Sequence, residues 1–440
     1  MKIIQSLWTN PLKISTPWCD VDYFFTTWIL SCLRLHLYHA NIELETDDCG
    51  FHIMSDLLEL PYMKIGLSLN QIQNFTPSIW TMGKIYTYAK QKEPFIHVDG
   101  DVIIGEPLPF KEEALIAQHF EKDFPHNQKF LSLLIKKKYK FTPYLDLTSP
   151  NYVVKEINAG ILGGSNISFF QEYTEYIFNF LKENSDKIYS LYSKQEITAV
   201  NTIIEQCFFY NLASKLNIHI STLFPDNYVS DCYKQLVSFR HMKGNNYIHP
   251  VGYYKSNPYI GERISETLMT EFPTYFNRYL YYKNDILSLI NKVDNKNVAF
   301  KFEGGRYAQK VRDNELLIQN IRKYVLLSRI VEKNDYLKIN PYAWTEKANQ
   351  EVYLIRPSIL STPEDVKHIK IRLGVIGDFF NSLISNFGNE IISVNKIIKE
   401  FNDLSAQKKI MAAIQQLVNI RALVLLEADA EKPATSKLTI

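Results

Sequence analysis

Four residues suited to a buried strand, Phe95-Ile96-His97-Val98, run directly into Asp99-Gly100-Asp101. This junction constrains the fold more than any other segment. It puts two carboxylates, two positions apart on a tight glycine turn, at the carboxyl edge of a sheet, where open α/β sheets bind ligands. The surrounding segments alternate between strand-like and helix-like patterns, the order of an α/β layer. Residues 3–8 read as a buried strand ending in Thr9-Asn10-Pro11, 22–38 as a helix, and 42–46 as a strand followed by a polar turn at 47–50. Residues 51–60 and 78–90 read as helices, 114–118 and 157–163 as strands, and 167–183 and 197–216 as further helices.

Composition sets the outer bounds. A chain of 440 residues suits two to three domains, and 46% hydrophobic with 22% charged residues excludes a disordered or collagen-like protein. The net charge of +2 supplies no bulk field for nucleic acid or anionic membrane. Five cysteines, an odd number without a CxxC pair, suit a reducing cytoplasm, and no apolar run approaches the length of a membrane span. No signal peptide is read at the N-terminus. Lys136-Lys137-Lys138-Tyr139-Lys140 reads as a solvated face. Beyond residue 262 the texture turns Tyr-, Lys- and Asn-rich, so a boundary is expected there. A helical extension over 263–344, an accessory helical unit over 345–430 that resembles a winged helix, and a disordered tail over 431–440 are expected to follow. In the accessory unit Thr362 reads as a helix start, Gly388 as a stop, and 420–426 as a strand.

Three local motifs carry chemistry. Asp99 and Asp101 can both reach one hard divalent cation. In Asn158-Ala159-Gly160, the Asn side chain offers a donor and an acceptor to polyol hydroxyls, and Gly160, Gly163 and Gly164 allow close backbone approach. In His249-Pro250-Val251-Gly252-Tyr253-Tyr254-Lys255, an imidazole can ligate the same cation and a Lys six residues later can neutralise a diphosphate. Read singly, each is also an ordinary turn or loop.

Together, in this order, they resemble the GT-A fold glycosyltransferases, and within them the retaining glycogenin/galactinol-synthase/bacterial galactosyltransferase group, whose members carry DxD, NxG and HxxGxxK. The resemblance covers residues 1–262 and implies a Rossmann-like mixed sheet flanked by helices, followed by a mainly helical C-terminal region. It also implies Asp99, Asp101 and His249 as Mn²⁺ or Mg²⁺ ligands, and Gly252 and Lys255 at the diphosphate of a UDP-sugar donor. Lys84, 15 residues before the DxD, would lie near nucleotide and sugar; Asn158 and Gly160 would lie at the donor sugar, and Thr9 and Asn10 at the nucleoside. The family's Asp-Gln pair has two counterparts here, Gln195-Glu196 and Glu205-Gln206, the second preferred because Cys207-Phe208-Phe209 follows it. The Pro-Trp usual after the loop Lys is replaced by Ser256-Asn257.

The activity so implied is transfer of a hexose, with retention, to a hydroxyl of a glycan, peptide or lipid-linked acceptor. An alternative is an inactive protein of the same fold serving as a peptide- or partner-binding scaffold through its C-terminal unit. No nucleic-acid partner is expected, because the second helix of that unit carries no run of arginines.

Overall fold

The strand that carries the acidic turn lies at the centre of a seven-stranded sheet. The structure, a computed structural model, describes residues 1–121, 125–141, 143, 145, 155–224, 236–237, 247–291, 304–327, 329–348, 351–363, 365–388, 390–401 and 407–426. It forms two compact units, one of residues 1–256 and 272–295 and one of 257–271 and 296–440. The helix Pro273–Asn291, which composition places in an extension, therefore belongs to the first unit.

The described strands of the first unit are β1 (Lys2–Leu7), β2 (Ile42–Thr46), β3 (Lys64–Gly66), β4 (Phe95–Val98), β5 (Ile103–Ile104), β6 (Leu115–Glu121), β7 (Glu156–Gly164), β8 (Ile220–Thr222) and β9 (Tyr247–Ile248). Seven of them form one mixed sheet in the order β3-β2-β1-β4-β7-β6-β8, while β5 pairs with β9. β1 runs parallel to β2 and β4, and β8 parallel to β6; β7 alone is reversed. With helices on its faces, this is the α/β mixed sheet the sequence order predicts.

All four residues of β4 are buried because both faces of the sheet are covered, so the strand does not alternate between exposed and buried, and His97 is buried along with its apolar neighbours. Phe95 joins an aromatic core with Tyr88, Phe169, Phe170, Phe180 and Phe209, packed between the sheet and the helices Met82–Lys90, Ile167–Glu183 and Phe208–Lys215. Ile96 and Val98 face the opposite core with Ile3, Leu35 and Ile161. Much of the chain's large aromatic content is spent here on packing, with Phe95 and Phe170 ring centroids 4.7 Å apart.

Several local expectations are corrected. Residues 47–50 begin a helix rather than a turn, because the Asp47 carboxylate accepts from Gly50 N at 2.8 Å and caps it. The helix expected over 197–216 is Lys194–Thr202 and Phe208–Lys215 joined by a π-helical turn, Ile203–Cys207. The Lys136–Lys140 run has its lysines exposed around a buried Tyr139.

The second unit adds strands to its helices: β10 (Tyr336–Ile339), β11 (Trp344–Ala348), β12 (Glu351–Pro357), β13 (His368–Arg372), β14 (Ile392–Ser393) and β15 (Leu423–Leu425). They form two three-stranded antiparallel sheets, β14-β10-β15 and β11-β12-β13. Thr362 does not start a helix; β13 follows it, and the helix that stops at Gly388 begins at Gly377. The helices Val394–Glu400 and Gln407–Asn419 follow, and the strand expected over 420–426 is β15. Buried Arg356 and Arg421 face Glu262 and Glu266, which lie one turn apart on the helix Pro258–Glu271, so each buried charge has a partner. The expected tail, 431–440, lies outside the described residues. Among the described residues no helix is long and apolar enough to cross a membrane.

Candidate metal centre at the carboxyl edge of the sheet

Asp99 follows β4 directly, and its backbone N–H donates to Gly160 O at 2.9 Å, so the acidic turn is pinned to β7 as it leaves the sheet. Val102 N then bonds back to Asp99 O at 3.0 Å and closes the turn. His249 follows β9, which pairs with β5 just beyond the turn. This pairing brings residues 150 positions apart in sequence together: one ligating atom from each of Asp99, Asp101 and His249 lies within 4.8 Å of the others.

Two lysines attend the carboxylates. Lys84 Nζ, from the helix Met82–Lys90, is 2.8 Å from both oxygens of Asp99, donating to Oδ2, and also donates to Glu205 Oε1 at 2.7 Å. Lys255 Nζ pairs with Asp101 Oδ2, and His249 Nε2 lies 3.4 Å from Asp101 Oδ1. Three carboxylates thus meet two ammonium groups, leaving one negative charge in excess.

The electrostatics follow from burial. Burial pushes the Asp99 carboxyl up to about 6, helped by the neighbouring Asp101 and Glu205 charges and opposed by Lys84 and His249. Burial acts on Asp101 in the same sense, but Lys255 and His249 outweigh it and hold that carboxyl well below its ordinary range. Burial opposes the charge on Lys84, yet Asp99 and Glu205 prevail and hold the ammonium group above its ordinary value. His97, on β4 behind the turn, is kept neutral by burial and by Lys84.

A hard divalent cation fits this donor set. Asp99 Oδ1 and Asp101 Oδ1 are both buried, with only the Lys84 ammonium at 2.8 Å beside the first and the His249 ring at 3.4 Å beside the second, so each keeps lone pairs that oxygen–cation ligation would satisfy. Gly100 has no room for a side chain, since a Cβ would meet the Trp28 ring at 2.1 Å.

The remaining expected site residues fall into two sets. Glu205 is buried within the π-helical turn at the cluster, with Gln206 half-buried beside it. Glu196 instead accepts from Tyr139 Oη at 3.1 Å and pairs with Lys137 at 3.6 Å, outside the cluster's contacts. Asn158 donates to Glu121 Oε1 at 2.9 Å and accepts from Gly160 N at 3.0 Å, so its amide is engaged within the sheet. Thr9 gives both its backbone N–H and its hydroxyl to the Asp47 carboxylate. Asn10 donates to Gln73 O at 2.8 Å. Gly252 has φ +51°, a left-handed conformation suited to glycine, at the start of the short turn Gly252–Ser256 that carries Lys255.

Sequence reading missed Gln118, whose Oε1 lies 2.7 Å from His249 Nδ1 and accepts from Tyr247 Oη at 2.6 Å. Its only sequence signal is a polar residue inside an apolar strand.

Fold and site define an α/β protein with a candidate divalent-cation centre at the carboxyl edge of its main sheet. The chain belongs to a family of unknown function, DUF6734, whose model matches residues 1–282. No curated protein matches it. Among solved structures it is similar to the glycosyltransferase GlyE of Streptococcus pneumoniae TIGR4, at 11% identity and a TM-score of 0.31 over 64% of each chain. It is also similar to mouse xyloside xylosyltransferase 1 in its apo form, at 8% identity and a TM-score of 0.28, over 50% of this chain and 84% of that one. The chain therefore spans about 64% of the length of GlyE.

Proposed function

We propose that this protein is a glycosyltransferase that moves a hexose from a nucleotide sugar, UDP-linked, to an acceptor hydroxyl with retention of configuration. The observation that carries the reading is the convergence of Asp99, Asp101 and His249 at the carboxyl end of β4, with Lys84 and Lys255 on the same carboxylates.

Breaking a sugar–phosphate bond builds negative charge on the departing diphosphate. A divalent cation, Mn²⁺ or Mg²⁺, held by Asp99, Asp101 and His249 supplies charge neutralisation of that group. Lys255 contributes a second positive charge from a short turn beside Asp101, and its contact strengthens as the bond breaks. Lys84 donates to both Asp99 and Glu205 and so holds the two carboxylates together, with the Glu205 carboxylate engaged by an ammonium group where it would face the sugar. A retaining course with the acceptor entering on the leaving-group face needs no strong general base, and Lys84 engages Glu205, the buried acid of the cluster. The second unit, with its helices and the sheet β14-β10-β15, is the candidate acceptor-docking part.

The test is incubation of the full-length protein with a panel of nucleotide sugars and Mn²⁺, reading released nucleotide. Release that requires one sugar and is abolished by a chelator supports the reading. No release from any donor, with wild type and Asp99→Asn indistinguishable, sinks it.

A further inference from the structure

We infer that Gln118 and Gly160 are positioning residues that fix the tautomer and orientation of His249, presenting its Nε2 lone pair to the cation. The inference rests on the cation reading above. Gln118 Oε1 can only accept, and two groups converge on it: Tyr247 Oη at 2.6 Å and His249 Nδ1 at 2.7 Å. Its amide nitrogen is turned the other way, 3.1 Å from His119 Nδ1. Neutral His249 must then carry its proton on Nδ1. With the proton on Nδ1, Nε2 is left with a lone pair, 3.4 Å from Asp101 Oδ1. Two acceptors turned toward each other in a buried place form a donor set for a cation.

The backbone is shaped for this contact. The pairing of β6 with β7 loses register between Ala117 and His119, the position of Gln118, and such irregularities re-aim a side chain. Opposite it runs Gly160, where a Cβ would stand 2.4 Å from both Gln118 Oε1 and His249 Cε1. Gly160 also accepts from Asp99 N, and its own N–H is held by Asn158 Oδ1. The glycine of the Asn-Ala-Gly segment therefore makes room for the Gln118–His249 pair, and the asparagine holds that glycine in place.

The experiment uses full-length protein labelled with ¹⁵N-histidine, with His249 assigned by its loss in His249→Gln. Long-range proton–nitrogen correlation, at a pH where the ring is neutral, should show the Nδ1-protonated form in wild type. Gln118→Met, of similar length but without the acceptor, should lose that preference and weaken Mn²⁺ binding, titrated by electron paramagnetic resonance, by about 10- to 100-fold. Gln118→Glu keeps the acceptor and should keep both tautomer and affinity. An Nε2-protonated ring in wild type, or Gln118→Met with unchanged tautomer and affinity, overturns the inference. Wild type with the expected tautomer but no Mn²⁺ binding overturns the cation reading and leaves the Gln118 assignment standing.

Discussion

Gly100 lies against the face of Trp28, so closely that a Cβ on it would sit 2.1 Å from the indole Cε3. The ring cannot easily yield, because it is buried in the core and its Nε1 donates to Tyr62 Oη at 2.9 Å. Gly100→Ala should therefore displace the acidic turn rather than the ring. The expected cost is about 1–3 kcal/mol, the usual penalty of overpacking, together with weakened Mn²⁺ binding. Denaturant unfolding and a metal titration on the same sample check both; an alanine variant with wild-type stability and affinity would mean that the turn has slack.

Asp99→Asn and Asp101→Asn should abolish metal-dependent nucleotide release while leaving the fold intact. Both carboxylates stand at the sheet's edge, and the amide is isosteric. Each change also removes a charge partner of a lysine: Asp99 is one of two beside Lys84, with Glu205 remaining, and Asp101 is that of Lys255. The expected loss of turnover is about 10²- to 10³-fold or more, with circular dichroism unchanged. Full turnover with unaltered Mn²⁺ dependence would remove the pair from the mechanism.

What could be read in advance was what is local. The run Phe95–Val98 followed by Asp-Gly-Asp shows its burial and its edge position within seven residues, and the neighbours of β4 add nothing the pattern lacks. Glu205 and Glu196 illustrate the limit. Both stand in acidic-amide pairs within a helical pattern, and only the π-helical turn and the reach of Lys84 from another helix separate the one in the cluster from the other. Gln118 was not legible, because its place depends on a register irregularity between strands that lie far apart in sequence. In the second unit a signal was present and passed over. Residues 368–372, His368-Ile369-Lys370-Ile371-Arg372, alternate polar and apolar with period two, and they form β13, the antiparallel partner of β12.

Glu156 makes stability depend on pH. Burial, helped by the Glu121 charge opposite it across β6 and β7 and opposed by the hydrogen bond from Cys207 Sγ, pushes its carboxyl up to about 8. Between its unfolded value near 4.5 and about 8, the folded chain holds a proton that the unfolded chain has released. Stability from this group is thus fully present below the unfolded value and is lost as pH rises through about 8. Glu156→Gln should flatten that fall, which amounts to on the order of a few kcal/mol. Urea midpoints measured from acid to mildly alkaline pH, in wild type and variant, decide it; parallel curves would show that Glu156 does not titrate in this range.

Lys255 should act on turnover more than on binding. Its ammonium group lies against Asp101 on the turn Gly252–Ser256, flanked by the exposed Tyr253, whose ring stacks on Tyr254 at 4.2 Å. A charge held beside the cation ligands stabilises a departing diphosphate most when the bond to the sugar is breaking, so the contact strengthens along the reaction. Lys255→Ala should lower turnover by about 10² to 10³, on the order of 3–4 kcal/mol, the size expected for one preorganised charge contact. Donor affinity should fall less than turnover, because the ground state carries less charge at that oxygen. Single-turnover kinetics and donor titration on the same variant separate the two quantities. Equal losses in both would make Lys255 a ground-state binding residue, and no loss in either would make the loop a surface turn. The anomeric proton signal of the fresh product completes the test: an inverted product would require a general base, and Glu205, the buried acid that Lys84 engages, would be the first to examine.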